Sequence, residues 1–427
     1  MSAYEVRDEL YLWWLNNPKT PALIGTLRLV RALQGASLQY SPAWIQAGFP
    51  LSEDLPLIEQ EIVPAQRETA VGAVDDARPD RWGERVIRFI DKPPRLSILE
   101  YLYFTGDERF GALGVSTSAE RYEPAPSVPL PRLADVEAIH EVVCKILANE
   151  PVPEEQRRLI LPGGTLGGAR PKALIEMNGH QWVVKFSEPD EDLDIPLLEH
   201  ACMRLAEKAG IGSAATQAIK LHKGHAVAVK RFDRRGAGNN IERLHAQTAY
   251  VALRAEGSDQ GYPELAQLLR RRGVLDGGLA MKQMHELFRR MVFNILMDNT
   301  DDHEKNHALL MTDDLHLVLA PAFDVVPTAQ GLGYQQLRVG KEAADSTISN
   351  ALSELSQFGL RPAEAHEEVV RVAKVVDGWK RHFRQAGVSP HDVDRLAQFI
   401  DRDGLISQRK ALLAKTSRPA ARARRKP

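Results

Sequence analysis

Asn299-Thr300-Asp301-Asp302-His303-Glu304-Lys305-Asn306 is the stretch on which the reading turns. It follows residues 279–297, an apolar run at 3.6-residue spacing through Leu287, Phe288, Met291, Val292, Ile295 and Leu296, which predicts a buried helix. Polar and charged side chains crowd the loop beside that buried element. Asp301 and Asn306 stand five positions apart. At that spacing a carboxylate can accept the proton of an attacking hydroxyl while the amide oxygen coordinates Mg²⁺. Lys305 could neutralise charge on a transferred phosphoryl group. Two other readings compete. One is a solvated polar loop. The other is a metal site built from His303 and His307 at i, i+4 with Asp301 or Asp302. That site needs a helix across residues 302–309 and a third ligand, and the HExxH pattern is absent.

Downstream lies Leu319-Ala320-Pro321-Ala322-Phe323-Asp324-Val325-Val326-Pro327. An acid in an apolar run needs a donor or a cation, because a buried unpartnered carboxylate is costly. A hairpin-like stretch, residues 308–319, separates Asp324 from Asn306, and kinases place a second Mg²⁺ carboxylate in this manner. The alternative for Asp324 is a helix cap. Upstream, Pro162-Gly163-Gly164-Thr165-Leu166-Gly167-Gly168-Ala169-Arg170-Pro171-Lys172 is glycine-rich enough to turn backbone N–H groups onto phosphate oxygens. It is not a Walker A loop, and glycines alone equally fit a flexible connection. Lys185 stands in the strand-like run 182–186, where its side chain either holds nucleotide phosphates or faces solvent. The order glycine-rich loop, strand lysine, Asp-x₄-Asn, Asp carries more than any single match.

The 427 residues are too many for one core and imply two or three folding units. With 44% hydrophobic and 26% charged residues and a net charge of −2, the chain reads as globular. Charge alone does not make it a polyanion binder. Two cysteines, Cys144 and Cys202, exclude a disulfide framework and a cysteine zinc site and suit the reducing cytoplasm. No apolar run spans a membrane, and the N-terminus does not read as a signal peptide. Residues 1–125 read as a mixed subdomain with strands at 23–30 and 112–117 and a helix at 83–91. A proline-rich linker covers 122–132, and a helix over 133–149 has Leu133, Val136, Ile139, Val142, Val143 and Ile146 on one face. Strands follow at 173–177, 182–186, 216–221 and 226–232, with an Asn178-Gly179 hairpin turn and a helix over 196–209. Helices are expected at 248–256, 262–272, 279–297, 352–358, 362–386 and 390–413. Residues 126–235 thus form a sheet-bearing lobe, 236–413 a helical lobe, and 414–427 a basic tail.

These residues resemble the HipA family, the serine/threonine-kinase toxins of HipBA-type toxin–antitoxin modules. N-terminal marks are Tyr40-Ser41-Pro42-Ala43-Trp44, Pro79-Asp80-Arg81-Trp82-Gly83 and Gly106-Asp107-Glu108-Arg109-Phe110-Gly111-Ala112-Leu113. Later marks are Gly167 to Lys172, Glu199 to Ala206, Arg231-Phe232-Asp233-Arg234, Thr300 to Asn306 and Phe323-Asp324-Val325. The resemblance implies an α+β, two-lobed, atypical protein-kinase-like fold. It would have an N-terminal mixed subdomain, a small antiparallel sheet and an all-helical C-terminal lobe. It implies ATP and Mg²⁺ as cofactors, with Asp301 as catalytic base and Asn306 and Asp324 as Mg²⁺ ligands. Lys185 would hold the nucleotide phosphates beneath Gly167, Gly168, Ala169, Arg170 and Lys172. Lys230 and Phe232 would meet the adenine through backbone groups, and His303 and Lys305 would contact the nucleotide. Glu199 could pair with Lys185. Thr165 matches the position whose phosphorylation silences such kinases, where added negative charge would occupy the phosphate site. The chain departs from the pattern at Lys230, where an acid is common, and at Asp302, a second acid beside Asp301.

The resemblance further implies a helix-turn-helix antitoxin partner of the HipB kind, operator DNA reached through it, and a protein substrate. Family targets include aminoacyl-tRNA synthetases and other translation components. Two further functions stay open: a co-repressor acting mainly on the antitoxin–operator complex, and a kinase for a small molecule. The tail from Lys415 to Pro427 either touches phosphate backbone or is a solvated end.

Overall fold

The computed structural model describes residues 4–126, 128–161 and 168–416. Thr165, Gly167 and most of the basic tail lie outside the described residues. The chain forms two compact units. One comprises Met1–Asp192, Ala214–Asp259 and Lys305–Pro321; the other comprises Leu193–Ser213, Gln260–Glu304 and Ala322–Pro427. The fold is α+β, with small antiparallel sheets in the first unit and helices dominating the second.

In the first unit, strands β1 (Glu9–Trp14), β2 (Ala22–Val30), β3 (Gly35–Tyr40) and β4 (Leu113–Ser116) form an antiparallel sheet of order β3-β2-β1-β4. Alternation places Leu10, Leu12, Leu27, Leu38 and Val115 on the buried face, and a register shift between Leu12 and Trp13 brings Ile24 of β2 into the same core, where helix Ile98–Phe104 covers them with Leu99 and Leu102. The sequence signals β2 and β4 but not β1 and β3. In β1 the clustered aromatics Tyr11, Trp13 and Trp14 mask the two-residue period.

The second sheet has order β5-β6-β8-β7, from β5 (Lys172–Met177), β6 (His180–Lys185), β7 (Thr216–Lys220) and β8 (His225–Lys230). Asn178 (φ 55°) and Gly179 (φ 73°) both take left-handed conformations, as a two-residue hairpin turn requires to match strand twist. Ala173, Ile175, Val184, Phe186, Ala226 and Ala228 share a core with Val136, Ile139, Val142, Val143 and Ile146 of helix Val136–Ala148. Each large aliphatic side chain buried there contributes about 1.5–3 kcal/mol. Leu133 is not on this face. It stands in the 3-10 turn Leu133–Asp135 before the helix and is 38% exposed. Short strands β9 (Arg234–Arg235) and β10 (Glu242–Arg243) pair, and β11 (Ala246–Thr248), β12 (Ala308–Met311) and β13 (Leu317–Leu319) form a third sheet.

The second unit is organised on helix Leu279–Leu296, whose Leu287, Phe288, Met291, Val292, Ile295 and Leu296 are fully buried. Helices Tyr262–Arg272 and Pro362–Val376 pack against it. Helix Ile195–Lys208 belongs to this unit. The expected helix over 362–386 is two, Pro362–Val376 and Trp379–Gln385, broken at Asp377-Gly378. The break turns Trp379 inward to 1% exposure. Likewise 390–413 divides into Pro390–Ile400 and Asp403–Thr416 at Asp401-Arg402. There the Asp401 carboxylate accepts from Trp379 Nε1 at 3.1 Å and pairs with Lys380 and Arg409. The expected helix over 352–358 is a 3-10 turn, Leu355–Phe358. No described helix is long and apolar enough to cross a membrane.

Candidate functional site

The loop that follows helix Leu279–Leu296 is held from inside the helical unit. Asp302 is 2% exposed and accepts the Tyr262 hydroxyl. The same phenolic oxygen accepts from Asn294 Nδ2 at 3.2 Å, and Asn299 Nδ2 donates to Asn294 Oδ1 at 3.1 Å. Burial and the Asp302 carboxylate raise the Tyr262 phenol well above its ordinary range, so it remains a donor. Asp301, one residue earlier, is exposed.

A second set of bonds ties this loop to the segment after Asp324. The Thr300 and Thr328 hydroxyls are 2.7 Å apart, and Thr328 Oγ1 donates to the Asp298 carbonyl at 2.9 Å. The Asp298 carboxylate accepts from Gly331 N at 3.1 Å and pairs with Arg402 at 2.7 Å. Burial raises the Asp298 carboxyl while Arg402 pulls it back. Asp324 has φ 57°, a left-handed backbone that costs a non-glycine residue about 1–2 kcal/mol. Such strain persists only where surrounding structure holds it, and it gathers at functional sites. Thr328, Tyr262 and Arg402 were not legible as site residues, since nothing in their own neighbourhoods marks them.

In the first unit, Lys185 ends β6 opposite Lys172 of β5 and Val227 of β8, and is 6% exposed. Directly opposed lysines repel unless one is neutralised. Asp80 does this, with its Oδ2 at 2.6 Å from Lys172 Nζ. Lys172 also reaches the Gly168 carbonyl at 3.4 Å, and Trp82 Nε1 donates to the Lys172 carbonyl at 2.7 Å. The sequence groups Lys172 with the phosphate-facing cations; in the fold it is 1% exposed and its ammonium is held by Asp80. Arg170 pairs with Glu191, Ala169 is exposed, and Gly168 has φ 93°.

Lys230 closes β8 opposite Trp182, and Phe232 stacks edge-on against Phe110 at 6.2 Å. Between and beyond them lies a buried ionic cluster. Arg231 donates through Nε to Asp233 Oδ1 at 2.9 Å and through Nη2 to Oδ2 at 2.7 Å. Its remaining reach goes to the carbonyls of Glu108 and Arg109, both at 2.9 Å. Arg234 Nη1 meets Asp233 Oδ2 at 2.9 Å and the Gly111 carbonyl at 3.0 Å, and Gly111 N donates to Asp233 Oδ2 at 2.8 Å. Burial alone would raise Asp233, but the two guanidinium groups hold it far below the usual carboxylate range. Two stretches singled out in the sequence, 106–113 and 231–234, are thus one cluster that flanks Phe232.

Lys305 and Asn306 lie in the 3-10 turn Glu304–Asn306, which leads into β12. Asn306 is 5% exposed, Lys305 is exposed, and His303 is half-buried. This geometry removes the helix that a His303–His307 zinc site would need. Among the described residues no group of three His, Cys, Asp or Glu side chains is arranged to hold a metal. The amide oxygen of Asn306 and the carboxylate of Asp324 are hard oxygen donors of the kind Mg²⁺ takes, alongside phosphate oxygens and water.

Residues 164–379 match the family model described as HipA-like C-terminal domain, and residues 20–116 match that of the HipA N-terminal domain. A Sinorhizobium fredii protein named Putative kinase Y4dM is 26% identical over 249 residues, 53% of this chain and 59% of that protein. A Haemophilus influenzae protein named Putative kinase is 25% identical over 185 residues, 38% of this chain and 52% of its own length. The chain therefore spans between half and three-fifths of these relatives. The fold is similar to a chain of the Shewanella oneidensis MR-1 complex of toxin–antitoxin system HipA, HipB and operator DNA. The TM-score is 0.66 at 18% identity, over 95% of this chain and 97% of that one. With both domain models matched in order along the sequence, this chain belongs to the HipA family.

Proposed function

We propose that the chain is an ATP- and Mg²⁺-dependent serine/threonine-protein kinase, the toxin of a HipBA-type toxin–antitoxin module acting in the cytoplasm. The observation that carries this reading is the pinning of the loop 298–302 to the segment 328–331, with Asp302 turned inward onto Tyr262 and Asp301 left exposed. In this reading Asp301 accepts the proton of the substrate hydroxyl. Asn306 and Asp324 hold Mg²⁺, which when bound neutralises charge on the nucleotide phosphates. Lys185 binds those phosphates, with Gly167, Gly168, Ala169 and Arg170 in the loop beside them, and Lys230 and Phe232 line the adenine end. His303 and Lys305 serve the nucleotide from the catalytic loop. Catalysis is positioning and charge neutralisation with little covalent work. Phosphorylation of Thr165 would silence the enzyme by putting about −1.5 to −2 charges where nucleotide phosphates belong. Lys172 is better read as the loop's anchor, through Asp80, than as a phosphate ligand.

The partner in this reading is a HipB-like helix-turn-helix antitoxin, with operator DNA reached through it and a protein substrate such as an aminoacyl-tRNA synthetase. The Shewanella complex, which holds HipA, HipB and operator DNA, also favours a second reading, in which the main role is co-repression with the antitoxin on DNA. Inducing wild type and Asp301→Ala side by side, followed by phosphoproteomics, tests both. New phosphoserine or phosphothreonine sites and toxicity with wild type only support the kinase. Equal toxicity of the two proteins removes it. Phosphate transfer to metabolites instead of proteins would make it a small-molecule kinase.

A further inference from the structure

Asp76 lies in the 3-10 turn Gly72–Ala77 and accepts two hydrogen bonds from Thr248, from its N–H at 2.7 Å and its hydroxyl at 2.8 Å. Thr248 caps helix Ala249–Ala255, its hydroxyl accepting from Val251 N at 3.3 Å. It also pairs with Ala308, and Ala249 N donates to the His307 carbonyl at 2.8 Å. The strand that leaves the Lys305–Asn306 turn is therefore stitched to a residue that Asp76 fixes. The next aromatic, Tyr250, carries Lys305 Nζ 5.0 Å from its ring centroid and the Arg254 guanidinium at 4.9 Å. Arg254 in turn pairs with Asp75 at 3.6 Å, so the turn grips this short helix near both ends. Burial pushes the Asp76 carboxyl up to about 6, and the Thr248 bonds and the Lys305 charge act against that rise.

We propose that Asp76 is a positioning residue for phosphoryl transfer: it fixes Thr248 and the Tyr250 ring, and the ring face sets where the Lys305 ammonium stands beside Asn306. The proposal rests on the kinase reading above. An exposed lysine on a four-carbon stem samples many rotamers. An aromatic face held rigidly from beneath narrows that set at little cost.

The test uses the full chain and four variants: Asp76→Ala, Asp76→Asn, Tyr250→Leu and Tyr250→Phe. Two readouts are taken. One is acetylation of Lys305 by an N-hydroxysuccinimide ester, followed by peptide mass spectrometry. The other is kcat and KM for autophosphorylation with gamma-32P-labelled ATP. Tyr250→Leu and Asp76→Ala should acetylate Lys305 about two- to fivefold faster. Their kcat should fall on the order of 10- to 100-fold, with most of the loss in kcat rather than in KM for ATP. Tyr250→Phe keeps the ring and should restore most of both, and Asp76→Asn should fall between. A merely structural role would instead speed acetylation of distant lysines such as Lys19 and Lys380 together with Lys305, which overturns the proposal. So does Tyr250→Phe behaving as Tyr250→Leu. If wild type transfers no phosphate, the kinase reading falls and the acetylation series alone decides whether Asp76 places Lys305.

Discussion

Tyr262 donates its hydroxyl to the Asp302 carboxylate in the interior of the helical unit, while the adjacent Asp301 stands exposed. Two neighbouring acids therefore stand in different surroundings. Asp301→Ala should lower phosphoryl transfer by about 10²–10⁴-fold, the usual worth of a positioned general base, and leave the melting temperature unchanged. Asp302→Ala strands the buried Tyr262 O–H and should cost about 1–3 kcal/mol of stability. Radiolabelled transfer and thermal melting, run on both variants, separate the two roles. An inactive but stable Asp302→Ala beside an active Asp301→Ala would reverse them.

Asp233 supports two buried guanidinium groups at once. Removing it in Asp233→Ala leaves Arg231 and Arg234 charged and desolvated, held by backbone carbonyls and by the longer ion pairs to Glu108 at 3.6 and 3.8 Å. The expected loss is about 3–5 kcal/mol, read as a lower urea midpoint for the first unit. Because folding holds the Asp233 carboxyl below its unfolded value of 3.8, its contribution is present above that pH and is lost on acidification. A midpoint unchanged by the substitution would show that Glu108 and the backbone carbonyls suffice.

Elements with a strong local signal were legible in the sequence. The Asn178-Gly179 turn, the period of residues 279–297 and the short apolar run of β8 each depend on side chains within one element. Where the period and the break signal conflict, reading failed. Gly378 and Asp401 interrupt apolar runs that continue on either side, and at those breaks Trp379 and Arg409 both gain the half-buried Asp401 carboxylate as partner. The site divides in the same way. Asp301, Asn306 and Asp324 share a spacing that chemistry explains. The residues that hold the loop 298–302, Tyr262, Thr328 and Arg402, carry no motif. The partner of Lys172, Asp80, is 92 positions away and carries no signal that ties it to the glycine-rich loop.

Asp324 joins a charge to a left-handed backbone, and the two can be separated. Asparagine tolerates that conformation almost as well as aspartate. Asp324→Asn should therefore keep the backbone conformation while removing the charge that the proposed Mg²⁺ site uses. Titration calorimetry with ATP, with and without Mg²⁺, should show the Mg²⁺-dependent gain in affinity shrinking by about tenfold or more. An undiminished Mg²⁺ effect would remove Asp324 from the metal site. Asp324→Ala should add a stability loss of about 1 kcal/mol from the backbone alone.

His245 makes the first unit sensitive to acid. It is 2% exposed, its Nε2 lies 2.9 Å from the Leu51 carbonyl, and its ring sits 5.5 Å from that of Trp14. A neutral ring donating Nε2–H satisfies that carbonyl, whereas a charged ring would be desolvated. Burial pushes the imidazole down to about 4 from 6.5, with the Leu51 bond opposing. A lowered histidine means that the folded state refuses a proton the unfolded chain accepts. Stability is then full above pH 6.5, falls through the window from 6.5 to about 4, and falls no further from this group below it. At about 1.4 kcal/mol per pH unit the total loss is on the order of 3 kcal/mol. Glutamine can donate to the same carbonyl without titrating, so His245→Gln should flatten this part of the profile. Urea midpoints followed by tryptophan fluorescence at pH 7.5, 5.5 and 4.5 measure the difference between the two proteins. Parallel profiles would mean that His245 protonates in the fold as readily as in the unfolded chain.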